Sequence, residues 1–432
     1  MAWQGNEYMK NKIINPLINI ELNYDTIFYF IDGLAHVTKS GRSGLINKSG
    51  DIVVPLEYLY CSNCFNEGLS VVSPNFAEWG FVDKSGKIVI SLKYNAANTF
   101  SEGLAEVRKG DKCGFINKYG DTVIPFEYDL TTPFNDGLAY VEKHYGDNAG
   151  RYFIDKTGQV ALNVDPHYYM VDSESAITSF HDGIVLACKV DEMSNTVKYG
   201  FLNKKGEVEI PFIYDKLAQY NEGYAVAFKG TVGNFCNGIK DIGSYFYIDK
   251  NSHEIIKTDC DYAEDFNEGF AAICSGIKNM PYERTKEENE AQKRWSETMM
   301  ADKEDRKSWE TKFLQAESEM AVFREMGHEN IQKMHKNGRW GFINKSGETV
   351  IPLEYELEYK YPYQYRNFYK FSESLSRAQK GDRQGYIDKT GTIAVPFEYD
   401  YVEEFHEGLA VVQKNGKWGV LEIIAYSDEN QL

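Results

Sequence analysis

The chain has 432 residues, 42% of them hydrophobic and 14% aromatic, which supplies a large core and argues against a disordered chain. A formal net charge of −18 and a pI near 5 argue against nucleic acid and anionic membrane as partners, since both select a net basic footprint. No apolar run is long enough to span a bilayer, the first residues lack the basic-then-apolar order of a secretory signal, and the seven cysteines are scattered, so the expected location is the cytoplasm.

In chain order, Leu22-Asn-Tyr24-Asp25 reads as the tail of an incomplete unit, and from there three blocks recur. The first is aromatic-x-acid-Gly-apolar. It starts at Phe30, Phe65, Phe100, Phe134, Phe180, Tyr220, Phe266 and Phe405, with Ser in place of Gly in the unit that starts at Phe371. The second centres on Asn47, Asp83, Asn117, Asp155, Asn203, Asp249, Asn344 and Asp388, each followed by Lys. The third, Val-Ile-Pro-like, ends at Tyr58, Tyr94, Tyr128, Tyr214, Tyr262, Tyr355 and Tyr399, and is degenerate between Val160 and His167. The period is 34 to 36 residues, as from Phe100 to Phe134 and from Tyr58 to Tyr94.

Each block has a physical meaning. Leu104-Ala-Glu-Val107 alternates with the strand period of two. Asn415-Gly416 between two such strands is the signal for a tight hairpin, whose central residues both need positive φ. In Asn-Lys-x-Gly and Asp-Lys-x-Gly the first side chain can accept from the backbone two residues on, and the Gly can take the left-handed conformation. Proline cannot donate to a ladder, so it marks a strand end or an edge. The expectation is three short strands per unit.

Trp79-Gly80-Phe-Val-Asp-Lys-Ser-Gly86, Trp340-Gly341-Phe-Ile-Asn-Lys-Ser-Gly347 and Trp418-Gly419 resemble the bacterial WG-repeat family, over about residues 15–275 and 336–425. Ser43, Cys113, Tyr199 and Gln384 replace the Trp elsewhere, so the Trp carries no chemistry common to all units. The resemblance implies a β-repeat scaffold and no catalytic residues. A unit of about 35 residues with three strands is short for a propeller blade, which typically takes four strands in roughly 40–50 residues. The expected fold is therefore an all-β tandem repeat, an open twisted array of three-stranded hairpin units resembling a β-solenoid; a closed β-propeller is the alternative.

One unit is interrupted. The second-block Gly normally follows the first-block Gly by 11 residues, as Gly114 follows Gly103, but after Gly269 it comes only at Gly341. From Tyr282 to Met326 there is no Gly or Pro, and good helix formers dominate. A single helix of that length would span ~68 Å and could not return to the paired strands, so a helical hairpin turning near Ala301–Arg306 is expected. Its apolar stripe, Trp295, Met299, Trp309, Phe313, Met320 and Phe323, offers a docking surface for a protein partner. The chain divides accordingly into repeats at 1–277, the insertion at 278–336, repeats at 337–425 and a tail at 426–432.

No catalytic, metal or cofactor residues are nominated. Cys61-Ser-Asn-Cys64 is a lone CxxC without the second pair a zinc site needs. No Walker loop, nucleophile elbow or dinucleotide fingerprint occurs. The repeated acids (Asp32, Glu67, Glu102 and their equivalents) read as turn caps, and the repeated lysines as a solvated edge of turn tips. Enzymes need one asymmetric constellation, so the expected function is a non-enzymatic protein-binding scaffold or adaptor using the repeat face and the helical arm. The alternative is a glycan- or envelope-binding module, to which exposed Tyr and Trp are suited.

Overall fold

The computed structural model describes residues 12–17, 24–145, 149–170, 179–191, 196–233, 240–278, 290, 293–294, 338–356 and 369–425. Its strands run from β1 (Lys12–Leu17) to β36 (Lys417–Ala425) and sort into nine four-stranded sheets. Eight sheets are antiparallel meanders of four consecutive strands, and the ninth joins β1 to the last three strands of the chain.

The third sheet shows the plan. Its strands, A to D, are Ala96–Ala97, Ala105–Lys109, Lys112–Ile116 and Thr122–Tyr128. The A–B link is the first block: Ser101 and Leu104 exchange backbone hydrogen bonds of 2.9 and 3.2 Å around Glu102 and Gly103, whose φ values are 53° and 90°. That is the two-residue turn whose twist matches paired strands. The C–D link is the second block, in which Asn117 Oδ1 accepts from the backbone N–H groups of Tyr119 and Asp121 at 3.0 Å. Asn415 and Gly416, with φ of 53° and 74°, form the expected tight B–C hairpin.

Pro125 lies inside D, an edge strand with no outer neighbour, where a missing N–H costs no ladder bond, the second of the two places expected for it. One feature corrects the expected fold. Beyond Asp129, the two residues Leu130–Thr131 already form strand A of the next sheet. Each unit thus has four strands rather than three, and each sheet is a propeller blade. Strand A is short and strand D long, so blades radiating from an axis place A innermost and D on the rim. The β1 strand pairs along its whole length with β36, from Lys12 opposite Ala425 to Leu17 opposite Val420, and supplies the rim strand of the ninth blade. The chain is therefore a closed nine-bladed β-propeller, not an open array. A two-residue strand leaves no period-two signature, and without it the unit looked too small for a blade.

The second correction concerns the insertion. The elements of the described residues are all strands, and the expected helical hairpin is not among them; the described helical residues of the insertion are Glu290, Lys293 and Arg294 alone. Strands Phe270–Ser275 and Arg339–Asn344 pair end to end, with Ser275 opposite Arg339, and the insertion leaves the seventh blade through that B–C turn. Between 279 and 337 only Glu290, Lys293 and Arg294 are described; Trp295, Met299, Trp309, Phe313, Met320 and Phe323 lie outside the described residues. Among the described residues no helix is long and apolar enough to cross a membrane.

The core lies between blades. The first-block aromatic packs on a strand-C aromatic of the preceding blade: ring centroids are 5.0 Å apart for Phe81 and Phe100, 4.9 Å for Phe115 and Phe134, and 4.8 Å for Tyr386 and Phe405. All six rings are buried, and such pairs add roughly 0.5–1.5 kcal/mol beyond their burial. The glycine of the WG dipeptide is a steric requirement. A Cβ on Gly114 would stand 2.7 Å from the Ile124 carbonyl oxygen of strand D, and on Gly341 2.4 Å from that of Ile351. The register slips here, from Cys113 opposite Tyr128 to Phe115 opposite Ile124, which marks a bulge that brings the two backbones together. The preceding residue stands opposite the third-block Tyr on strand D, and Trp79, Cys113 and Gln384 all occupy that place. Gly114→Ala is expected to push strand D outward and cost about 2–3 kcal/mol, in the range of core overpacking; a urea midpoint unchanged from wild type would contradict it.

Candidate functional site: the axial mouth

The repeated carboxylates fasten neighbouring blades. Glu67 accepts from the backbone N–H of Gly103 in the next blade at 2.8 Å, Asp136 from Gly183 at 2.7 Å, Glu268 from Ser374 at 3.0 Å and Glu373 from Gly408 at 2.9 Å. Glu407 does the same across the closure, to Gly33 at 2.9 Å. The caps expected from the sequence thus belong to the neighbour's turn. The repeated lysines are mostly exposed, as a solvated edge of turn tips would be, and they also reach back to these acids, with Lys48–Glu407 at 3.1 Å, Lys84–Asp32 at 3.1 Å and Lys156–Glu102 at 3.0 Å.

These turns close the inner strands, so the residues flanking the first-block aromatic line the axial mouth. After the aromatic stand Asn66, Ser101, Asn135, His181, Asn221, Asn267, Ser372 and His406, with Ile31 in the first blade. Ser101 Oγ donates to the Phe134 carbonyl at 2.7 Å, and the Asn135 amide lies 3.1 Å from His181. The side-chain amides of Asn66, Asn221 and Asn267 make no hydrogen bond among the described residues. Before the aromatic the ring is neutral over most of its circuit, then charged in three successive blades at Asp265, Lys370 and Glu404.

That charged sector continues inward as a polar seam between the eighth and ninth blades. The residue two places after the first apolar residue of strand B faces the following blade; it is Val71, Val226, Ala272 or Val411 in four of the others, while His36 and Glu106 are its ionisable occupants in the first and third blades. In the eighth blade it is Arg377, 4% exposed. Arg377 Nη2 donates to Glu404 Oε1 at 2.9 Å, and its Nη1 lies 3.6 Å from Glu403 Oε2. Glu403 also accepts the Tyr401 hydroxyl, and its carbonyl takes that of Tyr386. Glu404 Oε2 is 2.9 Å from Lys370 Nζ and 3.5 Å from His406 Nε2. The His406 ring is 4.7 Å from that of Tyr29 in the first blade, and Asn63 Nδ2 of the second donates to the Tyr29 hydroxyl at 3.4 Å.

Burial alone would raise the Glu404 carboxyl, but the hydrogen bond with His406 and the charges of Arg377 and Lys370 overcome it and hold the group down at about 2. Burial, then the charges of Glu403 and Glu404, push the Tyr29 phenol up. Buried ion pairs are seldom more stabilising than the apolar packing they displace, and other seams of this ring use that packing. A local breach of the repeat's own rule is the mark of a functional position. The sequence carried the signal as a departure within repeat columns, with Lys370 and Arg377 each the one Lys or Arg at its repeat position. Elsewhere, burial pushes the Cys61 thiol up to about 12, which makes it a poor nucleophile at neutral pH. Among the described residues no three His, Cys, Asp or Glu side chains are grouped to hold a metal ion.

Fold and repeat define a β-propeller built from one recurring four-stranded unit. A family model described as WG containing repeat matches residues 44–73, 79–113, 114–145, 199–230, 245–276, 340–357 and 385–418, and the chain belongs to that family. No curated protein matches the sequence. Among solved structures, the tricorn protease is similar at 11% identity and a TM-score of 0.34, over 96% of this chain and 53% of that one, so the chain spans about half its length. Sqt1 of Saccharomyces cerevisiae is similar at 7% identity and TM-score 0.32, over 93% and 95% of the two chains. The V. cholerae biofilm matrix protein Bap1 is similar at 9% identity and TM-score 0.29, over 97% and 88%. Likenesses this distant carry no functional argument.

The seam has a consequence in acid. A glutamate titrates at ~4.3 when unfolded, above the folded Glu404, so the unfolded chain takes up the proton first. The stability Glu404 contributes is present above that pH and is lost as pH falls toward 2, by up to ~1.4 kcal/mol per pH unit. The difference in urea midpoint between pH 6 and pH 3 should be smaller for Glu404→Gln than for wild type.

Proposed function

We propose that this propeller is a non-enzymatic binding module for a polyhydroxylated polymer, a glycan, engaged at the axial mouth on the A–B turn face. The observation that carries the reading is the circle of amide, hydroxyl and imidazole groups at one repeat position, with the Asn66, Asn221 and Asn267 amides holding unspent hydrogen-bonding capacity. A carboxamide both donates and accepts, as a sugar hydroxyl does, so the two match without a net charge on either. Groups repeated at equal steps suit a ligand that is itself a repeat. Protein docking through the insertion, by contrast, rests on no described side chain.

The test is binding of the purified chain to an array of bacterial polysaccharides, with the triple variant N66A/N221A/N267A as comparison. Three hydrogen bonds of ~0.5–1.5 kcal/mol each predict a loss of affinity of roughly ten- to a hundredfold or more, with the circular dichroism spectrum preserved. Absence of binding to every polysaccharide, or equal binding by the triple variant, overturns the reading.

A further inference from the structure

We infer that Lys370 and Glu404, with His406 and Tyr29 beside them, form the subsite that grips one neutral sugar unit by a vicinal diol; the inference rests on the glycan reading above. It identifies which part of the ring confers specificity, since a circle of near-equivalent amides alone does not distinguish one sugar from another.

A diol presents two hydroxyl groups that each donate and accept. The pair at 2.9 Å offers both counterparts: carboxylate oxygens that accept, and an ammonium with three N–H donors, of which the bond to Glu404 uses one. The reachable members are the outer ones. The side chains of Lys370 and His406 are 30% and 33% exposed, Glu404 12% and Arg377 5%. Arg377 therefore acts from behind. It holds Glu404 at 2.9 Å in one orientation, so the acceptor is set before a ligand arrives and little is lost in ordering it. Arg377 is a positioning residue.

Tyr29 and His406, 4.7 Å apart and tilted by 35°, make an aromatic wall next to the pair, suited to the C–H face of a pyranose. The wall and the pair come from three successive blades, the eighth, ninth and first, so this constellation occurs once in the ring. Charge selects the sugar class. Asp265, Lys370, Arg377, Glu403 and Glu404 leave no surplus positive charge for a uronic acid to meet. A sugar ammonium drawn to Glu404 stands next to Lys370, and a sugar carboxylate drawn to Lys370 stands next to Glu404, because the two are 2.9 Å apart, so either charged group also meets a like charge. Neutral hexoses meet neither.

Isothermal titration with methyl mannoside, methyl galactoside and methyl glucoside, against glucuronate and glucosamine, tests this on the full chain. Wild type should bind at least one neutral glycoside, and tighter than either charged sugar. Lys370→Met and Tyr29→Leu should each weaken that binding at least tenfold, with thermal unfolding within a few degrees of wild type. Lys370→Met leaves the Arg377–Glu404 bond in place, so it separates ligand contact from seam stability, which Glu404→Gln does not. If wild type binds polysaccharide and the triple asparagine variant loses it while both of these variants bind as wild type does, the subsite is wrong and the glycan reading stands. Tighter binding of glucuronate than of any neutral glycoside also removes the subsite alone. If wild type binds no sugar, both fall.

Discussion

A carboxylate from one blade's inner turn bonded to a backbone amide of the next blade's inner turn is the contact around which the ring is organised. Its geometry begins inside the turn. Both central residues have positive φ, 54° at Glu67 and 85° at Gly68, and for a residue with a side chain that conformation costs on the order of 1–3 kcal/mol. A hydrogen bond to a charged acceptor contributes about 1.5–3 kcal/mol, enough to offset it. The strained acid is thus tolerable only when the next blade is present. One contact supplies local turn stability and blade-to-blade registration together, and that explains why the acid persists in units that have lost the tryptophan.

Beneath this layer the aromatic pairs set the spacing of the blades, and the bulge at the WG glycine sets how closely strand D lies on strand C. Blade packing and blade shape are therefore encoded separately. The first depends on residues that meet across a seam, such as Phe115 with Phe134, and the second on Gly114 within one sheet. Because both are repeated, a departure at one seam leaves the rest intact. The eighth and ninth blades use that latitude, replacing apolar packing by Arg377, Glu403 and Glu404 while keeping the buried pair of Tyr386 and Phe405 beside them.

Much of the blade was legible in the chain. Turn chemistry identified Asn117 as the acceptor of its own turn and Asn415-Gly416 as a tight hairpin, because those are contacts within a few residues. Ring closure was not legible, since it depends on Leu130–Thr131 and its equivalents, too short for periodicity, and on a pairing between Lys12 and Ala425 that only the finished fold brings together. The insertion showed the opposite failure. Helix propensity and an apolar stripe suggested a docking arm, and the residues of that stripe lie outside the described architecture. At the axial mouth, His181 and His406 occupy the same repeat position, but their surroundings differ: one meets Asn135, the other Glu404 and Tyr29. Composition by column was available in the sequence; the convergence of Lys370, Arg377 and His406 on one carboxylate was not.

The ninth blade has a temporal side as well. Its rim strand Lys12–Leu17 is synthesised well before its partner, Lys417–Ala425. At roughly 5–20 residues per second, ~400 residues of synthesis keep β1 waiting for some 20–80 s. Eight meander blades can be completed in that interval, while β1 stays without a ladder partner and the last seam stays open. A strand in that state adds readily to the vacant rim of another copy. Closing the circle with the chain's own early segment thus ties monomeric assembly to the pace of the ribosome and to the local concentration of nascent chains.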